Sequence, residues 1–421
     1  LSGNSGSSEG PHLHFELRDI KTEKPVNPFL FGYQIPDTIP PLILKFGLFY
    51  NNNSLIYQVL KKSDNYYLNI DTLYVYDNFY TGIEAYDLLN NSKSRNGIYK
   101  LELFFDSILN QSITFNTFSF DETRFVNALI NYPVYYTEKN KIMQSRILPG
   151  NKLSLYKVKS GNNEGWFKIT DKQVHKISYK VYDFSGNLSQ ITIPVKKIDD
   201  TTIIVSEKKD PYFVKKIAFN KNDTLSTESF MAVFPENSLY EDINLSYHYS
   251  VTSKSFLSPI HELHNRLTPI HKNIAIYIKP DTLIENLTEK MLIVRIDGDN
   301  KQVSVGGKFE NGFIKTNINN FGKFAVVIDT VAPKIKTLNF KNNENVSKLK
   351  ELKVLLTDNL SGISSYNAFL NDKWVLMEYD GKTSQLTYKI DERLLSGQNL
   401  LKIVVEDSRK NKSELELKIF K

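Results

Sequence analysis

Val181-Tyr182-Asp183-Phe184-Ser185-Gly186-Asn187 is an apolar strand end that runs into an Asp and then into a tight turn. Asp and Asn bond nearby backbone in such turns and Gly permits a positive φ, so the stretch marks a strand that stops and reverses. The pattern returns along the chain. Val75-Tyr76-Asp77-Asn78 leads to Gly82-Ile83, Leu355-Leu356-Thr357-Asp358-Asn359 leads to Gly362-Ile363, and Val404-Val405-Glu406-Asp407 leads to Lys410-Asn411. A chain punctuated in this way is built from strands, and each Asp is read first as a turn former. Calcium binding is the alternative reading of these acidic turns, but none carries the Asp-x-Asp-x-Asp spacing of a calcium loop.

Outward from these turns, β-branched and aromatic residues gather in short runs: Leu42 to Phe49, Leu73 to Tyr76, Ile98 to Phe105, Ile113 to Phe118, Ile177 to Tyr182 and Gln190 to Val195. Asn-rich turns such as Asn51-Asn52-Asn53 separate them, and strands at this spacing argue for a β-sandwich. Between Phe120 and Asn131 a short helix or irregular crossover is expected, with Asp121-Glu122-Thr123 capping an apolar face of Phe125, Leu129 and Ile130. A second set of strands is expected at Phe230 to Phe234, Leu245 to Val251, Ile274 to Ile278, Met291 to Ile296, Gly312 to Thr316 and Phe324 to Ile328. Three stretches read as joints: the proline-rich passage Gln34 to Pro41, the charged passage Asp199 to Pro211, and Asp329-Thr330-Val331-Ala332-Pro333. Prolines there disfavour helix and hold the backbone extended. The last joint and the acidic turns resemble those of bacterial immunoglobulin-like repeats.

Composition narrows the classes. A chain of 421 residues has room for about three domains, and its net charge of +6 is spread among acidic residues, which is no nucleic-acid footprint. The absence of cysteine removes both a disulfide framework and a thiol nucleophile. No apolar run is long enough to span a bilayer as a helix. The many Tyr and Phe are expected mostly in sandwich cores, which leaves Trp166 and Trp374 as the aromatics to test for a binding face.

The candidate chemistry lies in Gly3-Asn4-Ser5-Gly6-Ser7-Ser8-Glu9-Gly10-Pro11-His12-Leu13-His14-Phe15-Glu16. Alternation puts His12 and His14 on one face of a strand, with Leu13 and Phe15 on the other. Two imidazoles on one face suggest a metal site. Zinc is favoured, because neutral imidazole is a good zinc ligand and a catalytic zinc usually keeps three protein ligands and a water. An exposed edge strand would give the same spacing. The surrounding residues, however, resemble the C-terminal motif of the lysostaphin-type (LytM-like) zinc metallopeptidases that cut peptidoglycan cross-bridges. Leu17-Arg18-Asp19 and Pro25-Val26-Asn27-Pro28 are similar to that family's exit strand and closing turn.

The resemblance covers about residues 1 to 33. It implies that His14 is the last zinc ligand and His12 the catalytic histidine beside the metal-bound water. The family's other ligands, a His and an Asp in a His-x-x-x-Asp element, lie upstream of this motif. The expectation is therefore a C-terminal fragment of a longer enzyme, with Leu13 and Phe15 poorly covered. His261-Glu262-Leu263-His264 lacks the His-Glu-x-x-His spacing and, bracketed by Pro259 and Pro269, reads as a loop.

The expected fold is all-β. Residues 1–35 would be the remnant of a zinc metallopeptidase domain, 36–198 a β-sandwich with room for an insertion, 199–331 a second β-rich module, and 332–421 an immunoglobulin-like module. By the resemblance, the whole protein would be a secreted zinc metalloendopeptidase acting on peptidoglycan peptides, in the periplasm or outside the cell. The alternative is a non-catalytic cell-envelope binding or spacer protein with a degenerate peptidase remnant that activates other wall hydrolases. Its partners would be peptidoglycan and other envelope proteins, with no nucleic acid.

Overall fold

Strict alternation governs the strand Leu188–Lys197, where Ser189, Ile191, Ile193 and Val195 are buried and the residues between them are partly or fully exposed. A period of two with one apolar face requires a second layer to cover it. A computed structural model describes residues 15–33, 35–50, 53–158, 164–198, 210–250 and 255–421. It shows an all-β chain in which paired sheets enclose three separate large cores.

In the first sandwich, Leu42–Phe49 pairs with Ser54–Gln58 and Asn78–Leu88. The facing sheet runs from Ile108–Thr114 through Lys100–Phe105 and Val174–Tyr182 to Leu188–Lys197. Leu73–Val75 joins Leu188–Lys197 in parallel. Phe46, Phe79, Ile113, Ile177 and Val195 are fully buried between the layers. The strand expected from Ile113 to Phe118 instead occupies Ile108–Thr114, because its partner Lys100–Phe105 turns back tightly at Asp106 and Ser107, both in the left-handed region.

Helical structure follows that strand, where a short helix or irregular crossover is expected. Phe120–Phe125 forms a 3-10 turn, Val126–Leu129 a short α-helix, and Tyr132–Glu138 a second helix capped by the Asn131 side chain, which accepts from Val134 N. Phe125, Leu129 and Ile130 are buried as expected, but Asp121-Glu122-Thr123 lie inside the 3-10 turn and do not cap it.

The second sandwich packs the sheet of Phe213–Ile217, Ile243–Ser250, Ile260–Leu263, Gly322–Ile328, Met291–Ile296 and Gln302–Gly306 on the sheet of Asp223–Ser226, Phe230–Phe234, Pro269–Ile278, Phe313–Asn320 and Lys308–Glu310. The third packs Lys334–Thr337, Glu351–Thr357, Gln385–Lys389 and Glu378–Asp380 on Glu344–Asn345, Lys412–Phe420, Gln398–Asp407, Ile363–Leu370 and Lys373–Val375. Glu344–Asn345 runs parallel to Lys412–Phe420, and the backbone bonds Asn343 N to Lys418 O (2.7 Å) and Val346 N to Phe420 O (2.8 Å) extend that pairing.

The modules are tied across their joints. Tyr240 of the second sandwich is 2% exposed and belongs to the first sandwich's core, where its hydroxyl donates to Arg124 O. Gly150 N donates to Tyr240 O at 2.7 Å, and a Cβ on Gly150 would lie 2.8 Å from that oxygen, so the approach requires glycine. Phe125 stacks on His271 at 4.2 Å, and Arg146 pairs with Glu241. At the other joint Arg409 donates to Met291 O (3.1 Å) and Gly307 O (2.9 Å), while Leu360 packs on the apolar outer face made by Leu292, Val294 and Val327.

Ahead of the first sandwich, Leu17–Arg18 pairs with Pro25–Val26, and Asn27 caps the 3-10 turn Pro28–Phe31. Asn27 N donates to Asn116 O (2.8 Å), which fastens this segment to the stretch that follows the strand Ile108–Thr114. Phe15 is half-exposed against Tyr33, while His12, Leu13 and His14 lie outside the described residues.

Candidate functional site

The acidic turns at Asp183 and Asp407 build the same arrangement twice. In the first sandwich Asn187 donates from its backbone N to Asp183 Oδ1 (2.8 Å), and from Nδ2 both to Asp183 Oδ2 (2.6 Å) and to the main-chain oxygen of Asp37 (3.1 Å). In the third, Asn411 donates from N to Asp407 Oδ1 (2.9 Å), and from Nδ2 to Asp407 Oδ2 (2.7 Å) and the main-chain oxygen of Asp329 (3.1 Å). Two residues further on, Ser189 donates to Pro41 O and Ser413 to Pro333 O. Each turn thereby holds the extended segment that enters its own sandwich.

Strand register supplies a third carboxylate to each node. Leu42 opposes Tyr86 and Lys334 opposes Thr357, so the next residues, Asp87 and Asp358, arrive at equivalent places. Carboxylate oxygens of Asp37, Asp87 and Asp183 all lie within 4.8 Å of one another, and those of Asp329, Asp358 and Asp407 do the same. The turn residue before each Asn is left-handed in both: Gly186 at φ +92° and Lys410 at φ +61°.

The nodes share one feature and differ in how their charge is met. Asp87 is 5% exposed, and its Oδ1 has no hydrogen-bond partner among the described residues; Asp358 Oδ1, at the equivalent place in the third sandwich, has none either. Burial first, and then the neighbouring carboxylates of Asp183 and Asp37, push its pKa up to about 6. In the third sandwich Asp329 accepts from Val331 N (3.2 Å) and Ser361 N (3.1 Å), and Asp358 Oδ2 accepts from Leu360 N (3.0 Å) and Gly362 N (2.7 Å). Lys290 donates to Asn411 Oδ1 at 2.7 Å, and the Arg409 guanidinium feels both Asp329 and Asp407. That node carries nearby cations.

A folded-state pKa raised above the ordinary carboxylate value means that ionising Asp87 opposes folding. Its contribution is most favourable below about pH 4 and is lost as pH rises through about 6. In chelator-treated protein at pH 7, Asp87→Asn should therefore raise stability by roughly 1–2 kcal/mol. The gain should vanish near pH 4, which thermal melts of both chains across that range would check.

Beside the first node, a cavity of about 1080 Å³ opens between residues 27–37 and the first sandwich, with Phe29, Tyr33, Ile98, Tyr99 and Phe184 among its walls. Asp87 and Asn96 reach its lining, and Asn96 Nδ2 is also without a partner among the described residues.

The expected zinc-site residues His12 and His14 lie outside the described residues. The second histidine pair does not form a site. Contrary to the loop reading, Ile260–Leu263 is a strand, held between Ile243–Ser250 and Gly322–Ile328. His261 is fully buried, stacks on Phe230 and meets the Tyr247 hydroxyl at 2.9 Å, and burial pulls its pKa down to about 4. His264 lies beyond the strand end at φ +50° and meets Ser246 and Thr268 instead. Trp166 packs edge-on to Tyr80 at 4.8 Å, whereas Trp374 is 55% exposed, with Nε1 donating to Asn367.

In the sequence Asp183, Asp358 and Asp407 stand in separate turns, and Asp77 carries the same local pattern. Asp77 instead pairs with Lys197 at 2.8 Å on the surface, and Asp87 holds the equivalent position. A usable signal was present. Asp37 stands four residues before Pro41 as Asp329 stands four before Pro333.

Among solved structures, the fibronectin(III)-like modules of Clostridium thermocellum CbhA are 13% identical over 35% of this chain and 83% of theirs, with a TM-score of 0.18. Bacteroides ovatus SGBP-B, solved with a mixed-linkage heptasaccharide, is 8% identical over 91% of this chain and 71% of its own, at 0.16. A bacterial ice-binding adhesin is 7% identical over 83% and 94%, at 0.15. Likeness at these scores carries no argument, and the β-sandwich assignment rests on the chain's own sheets. No curated protein matches. Residues 214–329, which span the second sandwich, match the Zu5-like domain family.

Proposed function

We propose that this chain serves as the non-catalytic β-module part of a cell-envelope protein, spacing or binding envelope components in the periplasm or outside the cell. The observation that carries this reading is the fastening of the joints. Tyr240 is sunk in the neighbouring sandwich's core, and Arg409 is bonded to carbonyls of the sandwich before its own. Buried ties of this kind restrict how the modules move against one another, which suits a spacer that holds its two ends at a set separation. No helix among the described residues is long and apolar enough to cross a membrane.

The lysostaphin-type resemblance adds the envelope setting and a partner class, peptidoglycan. In this reading residues 1–33 are the closing stretch of a peptidase-like domain. Any zinc chemistry would need His14 as a ligand and His12 beside the metal-bound water, completed by residues of the His-x-x-x-Asp type.

The test compares the 421-residue chain with its His14→Ala and His12→Ala variants. We expect all three to sediment with purified peptidoglycan sacculi, to hold no stoichiometric zinc and to release no cross-link peptides. Stoichiometric zinc lost in His14→Ala, together with cleavage lost in both variants, would replace this reading with the peptidase.

A further inference from the structure

We infer that the node of Asp37, Asp87 and Asp183 in the first sandwich binds a calcium ion. The inference goes beyond the spacer reading and does not rest on it.

Three carboxylates converge there from segments far apart in sequence: the entering segment, the end of Asn78–Leu88, and the turn after Val174–Tyr182. Their oxygens lie within 4.8 Å of one another, a spread that one ion at 2.3–2.6 Å from each oxygen can span. Asp183 is 2% exposed and Asp87 5% exposed. Buried like charges at this separation repel strongly unless something positive lies between them.

Two features distinguish this node from an ordinary acidic turn. Asp87 Oδ1 is buried and finds no hydrogen-bond donor among the described residues. A buried carboxylate oxygen left in that state is costly unless a cation meets it. The second feature is the internal comparison. The third sandwich reproduces the hydrogen-bond frame, with matching bonds from Asn187 and Asn411. There Lys290 and Arg409 bring positive charge against the node. No ion pair joins the carboxylates of either node to a Lys, Arg or His among the described residues, but in the first sandwich the charges acting on Asp87 are those of Asp183 and Asp37 alone, so that node is left with the greater need.

The donor set selects the ion. All candidate ligands are oxygens, so zinc, which prefers nitrogen and sulfur, is disfavoured. Asp183 already accepts two bonds from Asn187, so its oxygens are fixed by the turn and cannot rearrange freely. Magnesium demands a small, near-ideal octahedron, whereas calcium accepts irregular shells of six to eight oxygens that water can complete. The bound ion would link the entering segment to the sandwich.

The test is calorimetric titration of the chelator-treated 421-residue chain with calcium chloride and, separately, magnesium chloride, with melting temperature as the second readout. Wild type should bind calcium in preference to magnesium and melt higher by about 3 °C or more at saturation. Asp87→Asn should lose one calcium equivalent, or bind it on the order of 100-fold more weakly. Because this substitution removes a repelled charge and no hydrogen bond at Oδ1, the variant should fold, as its circular dichroism would report. Asp358→Asn, in the third sandwich, should leave that equivalent in place. The assignment is overturned if calcium neither binds nor raises the melting temperature, or if Asp87→Asn takes up calcium as wild type does.

Discussion

Tyr240→Ala should lower the stability of the joined first and second sandwiches by about 3–5 kcal/mol, the usual range for deleting a large buried aromatic. It should also separate their unfolding into two transitions. Tyr240 comes from the second sandwich but is 2% exposed inside the first sandwich's core, edge-on to Phe125. Burial pushes its hydroxyl up to a pKa of about 12, so it stays protonated and donates to Arg124 O over the working pH range. Truncation removes the ring from one module's core and the tether from both. Tyr240→Phe keeps the ring and loses only the hydroxyl, at about 1 kcal/mol, and should leave a single transition. Differential scanning calorimetry of the three chains would separate these outcomes; a single, unshifted transition in Tyr240→Ala would mean that the joint is not what couples the modules.

Arg409→Ala should act on the other joint, at about 2–3 kcal/mol, because one charged donor group serves several carbonyls of the second sandwich. The guanidinium donates to Met291 O and Gly307 O, and its charge faces Asp329 and Asp407. Losing it leaves those oxygens short of a donor and removes a positive neighbour from the acidic node. Both bonds come from Nη1, and Arg409→Lys keeps a charged donor nitrogen but on a shorter side chain that does not place it where Nη1 sits, so it should recover only part of the loss. Hydrogen exchange at Leu292 to Val294 would check the local effect: protection should fall in Arg409→Ala and return partly in Arg409→Lys.

What could be read from the sequence divides along a physical line. Strands such as Leu42–Phe49, Phe230–Phe234 and Met291–Ile296 fall where β-branched and aromatic residues cluster, since a half-buried pleated surface selects those side chains locally. The Asp183 and Asp407 turns were legible for the same reason: Asp, a left-handed residue and Asn close the turn within five positions. Asp87 was not. It lies near the end of a long strand, where sequence alone cannot distinguish it from a solvated Asp, and only the pairing of Leu42 with Tyr86 delivers it to the node. Asp77 has the better local signature but pairs with Lys197 on the surface. His261 was misplaced because flanking prolines suggested a loop, while pairing on both sides made a strand. Tyr240 follows the same rule: nothing in Pro235 to Tyr240 tells which core the ring will enter.

The parallel pairing of Glu344–Asn345 with Lys412–Phe420 has a mechanical consequence. A pull applied between Pro333 and Phe420 draws these two segments in opposite directions along their length. Tension then falls on the bonds from Asn343 to Lys418 and from Val346 to Phe420 together, in shear, instead of peeling them apart one after another. Bonds that must fail at once resist a force that sequential rupture would not. The third sandwich is thus arranged to stay closed under load along the chain.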